Sequence, residues 1–233
     1  MNLDIIFEDE HVIVCFKPSG ISTQTKKLGE PDMVSLLKNY LYKKQTDKKE
    51  PYVGVIHRLD QPVAGLLVFA KTPFAAKEIN RSLQEAGFGK YYMAVLCGVP
   101  KEQKAILENY LIKDGRTNTS RVCDESEKDA KKAVLSYEVL ATRKNTCQNG
   151  DQELSLVKVK LDTGRHHQIR VQMANIGCPI WGDTKYNASA MQDKQLGQIA
   201  LCAYRLDFLH PKTKKQMVFE RNDFITAWHS LGL

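Results

Sequence analysis

Two apolar runs, residues 53–56 and 66–70, flank a polar knot, His57-Arg58-Leu59-Asp60, closed off by Pro62 and Gly65. The flanks are rich in Val, Ile, Leu and Phe and predict two short strands. A core that admits a histidine, an arginine and an aspartate between two such strands must pair them or use them. An unpaired buried polar group costs roughly 1–3 kcal/mol, and a charge more. The knot is therefore read as a tight loop between core strands. Taken singly, its residues have plain readings: Asp60 as a turn former, Arg58 as a surface cation, His57 as a satisfied, part-core histidine.

The rest of the chain reads as hairpins with helices set among them. Residues 3–7 and 11–16 predict two strands joined by the acidic turn Glu8-Asp9-Glu10, and Lys17-Pro18-Ser19-Gly20 ends the second. Val34, Leu37 and Leu41 recur at helical spacing within residues 33–42, and the charged stretch 43–51 is a surface loop. Thr72-Pro73 reads as an N-cap with proline at the first helical position. Ala76, Ile79, Leu83 and Ala86 form that helix's buried stripe, and Gly87 ends it. Strands are expected at 91–97, 106–112, 133–141, 153–161 and 198–209, with a long polar connection over 113–132. Residues 165–176 predict a helix, with Ile169, Met173 and Ile176 on one face and Gly177 behind it. Strands outnumber helices, so the fold class is α+β: a mixed, mostly antiparallel central sheet with flanking helices and loops. With no repeat, low-complexity tract or linker, residues 1–233 are expected to form a single domain.

A chain of 233 residues buries roughly 70–75% of its unfolded surface, so it needs no disulfide or metal for stability. The six cysteines, Cys15, Cys97, Cys123, Cys147, Cys178 and Cys202, lack C-x-x-C spacing and read as reduced thiols. No apolar run approaches the roughly 18 residues of a membrane span. Residues 1–8 lack the basic start and small-residue cleavage site of a signal peptide, so a cytoplasmic location is expected. The net charge of +7 suits a polyanionic partner without naming one.

A second cluster, Asp162-Thr163-Gly164-Arg165-His166-His167-Gln168-Ile169-Arg170, places a glycine turn before a helix whose first turns carry basic side chains, a natural anion site. His166 and His167 raise the question of a metal. Adjacent helical residues diverge, and no Cys or carboxylate completes a ligand set, so no metal is expected.

Taken in order, these motifs resemble the RluA-type pseudouridine synthases over residues 3–220. The resemblance is carried by Lys17-Pro18-Ser19-Gly20, by His57-Arg58-Leu59-Asp60 with Gly65 and Ala70-Lys71, and by Lys90-x-Tyr92-x-Ala94 with Gly98. It continues through Thr163-Gly164-Arg165-x-His167-Gln168-Ile169-Arg170 and Gly177-x-Pro179-Ile180-x-Gly182-Asp183 with Tyr186, then Leu201-x-Ala203 and His210-Pro211. Two departures stand out. Val63-Ala64 replaces a frequent Thr-Ser pair, and the N-terminal S4-type RNA-binding domain of many relatives is not seen, so a stand-alone catalytic domain is expected to select its own RNA.

The resemblance implies an isomerase that converts uridine in ribosomal or transfer RNA to pseudouridine. Asp60 is then the catalytic carboxylate, Arg170 the guanidinium that keeps it charged and oriented, and Tyr92 the aromatic against the uracil, in a cleft across the middle of the sheet. A stacked uridine must be extruded to reach such a site, at a cost of a few kcal/mol, and Arg58 is the candidate to hold it. His57, Arg165, His167 and Gln168 complete the expected substrate-binding set. The reaction is a redox-neutral isomerisation, so no cofactor is expected; RNA is the partner and a monomer the default. Lys113, Arg116, Arg121, Lys131, Lys132, Arg143 and Lys144 are candidates to track phosphates. A non-catalytic RNA-binding protein or RNA chaperone on the same scaffold would be expected to lose Asp60 or Arg170, and both are present. A glycoside or nucleoside hydrolase needs a second carboxylate, whereas Asp162 and Asp183 read more simply as turn or cap residues.

Overall fold

The computed structural model describes residues 3–27, 29–47, 49–85, 87–147, 150–188 and 198–224. The chain forms two compact units: Met1–Gly89 with Ala203–Glu220, and Lys90–Cys202 with Arg221–Leu233.

In the first unit, β1 (Asp4–Glu8) and β2 (Val12–Lys17) form the expected antiparallel hairpin, and Asp9 Oδ1 closes its turn by accepting from the His11 and Val12 amides at 2.7 and 2.8 Å. β2 also pairs with β4 (Ala64–Ala70), in a register running from Val12↔Ala70 to Lys17↔Gly65. The short β3 (Gly54–Val55) lies on β4. β10 (Leu201–Leu209) and β11 (Gln216–Glu220) make a second hairpin. Val12, Val14, Leu66, Val68, Ala70, Ile79, Phe88, Leu206 and Phe208 form the core, each large side chain contributing about 1.5–3 kcal/mol on burial.

Two helices cover this unit, and local chemistry fixes their starts. α1 (Met33–Lys44) begins at a capping box in which Asp32 and Ser35 satisfy each other's amides. α2 (Pro73–Gln84) begins where predicted, with Thr72 Oγ1 accepting from the Ala75 amide at 3.1 Å. Its buried residues are Ala75 and Ile79, with Ala76 and Leu83 packed alongside; Ala86 lies outside the described residues. Glu8 joins three elements, accepting from Tyr40 Oη, Lys44 Nζ and Lys71 Nζ at 2.8–2.9 Å.

In the second unit the strand order is β5-β9-β8-β6-β7, every neighbour antiparallel. The elements are β5 (Phe88–Cys97), β6 (Lys104–Asp114), β7 (Thr119–Cys123), β8 (Lys131–Cys147), β9 (Gly150–Leu161) and α3 (Gln168–Asn175). β9 is flanked on both edges and buried on both faces, with Leu154, Ser155, Leu156, Val157 and Val159 all inside. A register shift between Val139 and Ala141 leaves Leu140 exposed. The α+β class with mostly antiparallel pairing agrees with the sequence reading; Ser22 and Asp32 form a parallel bridge.

Three details differ. The polar connection contains a strand, because residues Thr119–Cys123 pair with Tyr110–Asp114 and turn it into a hairpin. β11 was not expected. The third helix starts at Gln168, since His167 has φ 55, a left-handed conformation that cannot continue a right-handed helix. Cys15, Cys97, Cys178 and Cys202 are buried free thiols; the Cys147 side chain lies outside the described residues.

Candidate active site

In the first unit the chain leaves β3, makes the knot at His57–Asp60, and returns on β4. Buried Leu59 and Val63 anchor the loop on either side of Asp60, and the Val63 amide donates to the Asp60 carbonyl at 3.0 Å. A second loop, residues 17–23, pins the backbone around Asp60. Thr23 Oγ1 donates to the Leu59 carbonyl and accepts from the Leu59 amide, both at 3.1 Å. Lys17 Nζ and the Gly20 amide both donate to the Gln61 carbonyl, at 3.0 and 2.9 Å, and Gln61 Nε2 returns a bond to the Gly20 carbonyl. Ser19 Oγ reaches the Pro62 carbonyl at 2.7 Å. With flanking residues held on both sides, the half-buried Asp60 carboxylate rides on a rigid support. Gly65 is required for a steric reason: φ is +145, and a Cβ there would stand 2.5 Å from the Ala203 amide and Cβ.

Lys17 is fully buried, and its ammonium donates to three carbonyls, of Pro18, Ile21 and Gln61. Burial pulls its pKa down to about 8, against the attraction of the Asp60 charge. The resemblance marked this lysine only as part of a turn; the structure makes it a charged strut beneath the Asp60 loop. His57 is half-buried, with Nε2 accepting from the Val68 amide at 3.3 Å and the ring edge-on to Phe88. Arg58 is exposed.

In the second unit β9 ends in the turn Asp162-Thr163-Gly164, and residues 165–167 lead into α3. Gln168 has all four positions of its amide in use: Oε1 accepts from Thr163 Oγ1 and the Arg165 amide, while Nε2 donates to the Val134 carbonyl and Gln172 Oε1. Gln172, fully buried, passes the network on to Asn109 Oδ1 and the Leu107 carbonyl. This polar ladder welds α3 to β6 and β8.

His167 Nδ1 lies 2.7 Å from Tyr186 Oη, which accepts from the Ser120 amide at 2.7 Å. Burial, followed by the charges of Arg170, His166, Lys185 and Lys113, pushes the His167 pKa down to about 2, so the ring is neutral. His166 stacks on it at 3.7 Å between centroids and meets Ser120 Oγ at 2.9 Å. The two rings stack rather than diverge because His167 is not helical. Among the described residues no three His, Cys, Asp or Glu side chains converge as a metal-ligand set.

Arg170 is buried and forked on Asp183, Nε to Oδ2 at 2.8 Å and Nη2 to Oδ1 at 2.6 Å. Asp183, with no exposed surface, also accepts from the Lys185 and Tyr186 amides at 2.9 and 3.3 Å. It is therefore both the turn residue the sequence suggested and a buried partner that fixes the guanidinium plane, a role sequence reasoning missed. Its position within the Gly182-Asp183 and Tyr186 pattern was the available signal. Tyr92, in register with Val159, is 6% exposed, whereas Tyr91 is half-buried on the opposite strand face. Of the basic residues outside the motifs, Arg121 is paired with Glu127 and Lys132 with Glu108, while Lys113, Arg116, Lys131 and Lys144 are exposed and Arg143 is half-buried.

A model of the family described as RNA pseudouridylate synthase matches residues 11–175, a span that holds both Asp60 and Arg170. The chain belongs to the RNA pseudouridylate synthase family. Like the members of that family, it is an RNA-modifying isomerase. It is 33% identical over 218 residues to YhcT, an uncharacterised RNA pseudouridine synthase of Bacillus subtilis, covering 94% of this chain and 68% of that protein. It is 30% identical over 226 residues to ribosomal large subunit pseudouridine synthase D of Zymomonas mobilis, again covering 94% and 68%. Among solved structures, human RNA pseudouridylate synthase domain containing 1 shares the fold at a TM-score of 0.75 and 22% identity, over 94% of this chain and 83% of that one.

Proposed function

We propose that Asp60 is the carboxylate on which uridine isomerisation by this protein turns, and that the substrate is a uridine in structured ribosomal or transfer RNA. The observation that carries the reading is the pinned loop: Leu59, Gln61 and Pro62 are held through their backbones by residues 17–23, so the side chain between them is presented with little freedom. Such preorganisation is what a catalytic carboxylate needs and what a mere turn former does not. Arg170, whose guanidinium plane is set by Asp183, is the partner we assign to Asp60. Tyr92 is the ring against the uracil, where stacking is worth about 1–3 kcal/mol per base. Exposed Arg58 holds the extruded nucleotide, and His167, a neutral ring bonded to Tyr186 at the start of α3, belongs to the substrate-binding set. His57 and Gln168, with ring and amide atoms bonded within their own units, act by holding the loops that carry Asp60 and Arg170.

In the reaction the N1–C1′ bond breaks, a C5–C1′ bond forms, and the C5 proton is given up while N1 gains one. Mass is unchanged and no donor is consumed. The reading takes the protein to act as a cytoplasmic monomer without a cofactor.

Pseudouridine mapping of total RNA, from cells with and without this gene, tests the proposal. One or a few ribosomal or transfer RNA positions should revert to uridine in the deletion and return with the wild-type gene. An unchanged pseudouridine map would defeat the substrate assignment. Release of free uracil by the purified protein would show a hydrolase instead.

A further inference from the structure

Many cations of this protein stand beside a carboxylate: Arg121 on Glu127, Lys132 on Glu108, Lys104 on Glu138, Lys44 and Lys71 on Glu8. Lys90 and Arg165 differ. Lys90 lies near the start of β5, and its Nζ is aimed at the turn after β9: a Cβ built on Gly164 would stand 3.2 Å from that nitrogen. The glycine thus leaves the ammonium its room. Among the described residues Lys90 Nζ has no hydrogen-bond acceptor and no carboxylate within 4.0 Å. Burial lowers its proton affinity, Asp162 opposes this from beyond ion-pair distance, and Arg165 adds a smaller lowering effect. Arg165 is exposed, but its direction is set: the Nε–H donates to the Lys132 carbonyl at 2.8 Å and the backbone amide to Gln168 Oε1 at 3.0 Å. Its two terminal nitrogens have no acceptor among the described residues. Two cations within electrostatic reach of each other, one partly buried and one fixed through its Nε–H, and neither with a carboxylate within 4.0 Å, make a site suited to an anion.

We propose that Lys90 and Arg165 clamp one backbone phosphate of the RNA at the Gly164 turn. This rests on RNA being the substrate, and it adds Lys90, which nothing above assigns, to the binding machinery. Lys90 and Tyr92 are two residues apart on one strand and share a face. The clamped phosphate therefore belongs to the side of the strand that carries the aromatic ring.

Binding of a fluorescent single-stranded RNA of about 20 nucleotides, measured between about 50 and 200 mM KCl, tests the clamp. Each neutralised phosphate on a single strand contributes a slope of about −0.7 in log affinity against log salt. Across that fourfold rise in salt, wild-type binding should weaken about 2.6-fold more than binding by Lys90→Met. Arg165→Gln should show the same reduced slope, and Lys90→Arg should keep the wild-type slope. Lys128→Met, the same charge change at an exposed residue of the same unit, should keep it as well. Wild-type slopes in Lys90→Met and Arg165→Gln, or losses no larger than that of Lys128→Met, would overturn the clamp. Arg165→Gln alters an exposed position and decides the matter if Lys90→Met fails to fold. Repeating the titration in Asp60→Asn separates the two readings. A reduced slope beside a still-active Asp60→Asn defeats the catalytic assignment alone, and an unchanged slope beside an inactive Asp60→Asn defeats the clamp alone.

Discussion

Replacing Lys17 with methionine should change how stability depends on pH. The wild-type ammonium is buried and donates to three carbonyls, and its pKa falls from 10.5 to about 8. Between those values the unfolded chain holds a proton that the folded chain has released, so folding stability rises with pH by about 1.4 kcal/mol per unit. Over the roughly 2.5 units involved, the gain is about 3 kcal/mol. It is complete above pH 10.5 and absent below pH 8. Cys15 and Cys202, pushed up to about 12 by burial, act in the opposite direction above pH 9, but both are present in wild type and variant. The quantity to follow is therefore the difference between the two proteins. Urea unfolding at pH 7, 8, 9 and 10 should show wild type gaining on Lys17→Met only above pH 8, approaching 3 kcal/mol near pH 10.5. A difference that stays flat across this range would refute the buried-ammonium account of the Asp60 loop.

Burial alone would raise the Glu8 carboxyl, yet hydrogen bonds from Lys44, Lys71 and Tyr40 together hold it at about 2. Its stabilisation is present above pH 4.5 and lost as pH falls toward 2. Glu8→Gln should therefore flatten the acid limb of a thermal-melt pH series, and an acid limb like wild type would count against this. Asp183→Asn removes the carboxylate that forks on the buried Arg170 and should lower stability by about 3–5 kcal/mol in denaturant titrations; a loss under 1 kcal/mol would show the fork to be dispensable. Thr23→Val removes both bonds to Leu59 and should slow turnover at least tenfold with little change in RNA affinity, while Thr23→Ser restores it. Equal turnover in all three proteins would show that the Asp60 loop needs no strut at Thr23.

Much of the fold was legible where the signal is local. Thr72-Pro73 caps α2 because a hydroxyl and a preset φ act within one turn, and the acidic β1–β2 turn closes through Asp9 in the same way. The start of α3 was misplaced because His167 is left-handed, a conformation that the helical spacing of residues 165–176 does not announce; its ring is bonded to Tyr186, 19 residues away. β7 was hidden because a five-residue strand flanked by charge gains its pairing from β6, not from its own pattern. The site was legible as motifs, but the supports were not. Nothing in the spacing of Lys17 or Thr23 announces that one underpins Gln61 and one grips Leu59, and the motif around Asp183 marks the residue without showing its fork on Arg170. Lys90 was read only as a motif letter, since its lack of a counter-charge is a property of three-dimensional neighbours.

The central claim is that the Asp60 carboxylate performs the isomerisation. Because the C5 hydrogen is displaced when C5 joins C1′, RNA labelled with tritium at uridine C5 reports each turnover as tritium in water. Wild-type protein should release it under single-turnover conditions, and Asp60→Asn, equally folded and equally able to bind the RNA, should release none above background. Release by Asp60→Asn at the wild-type rate would contradict the account.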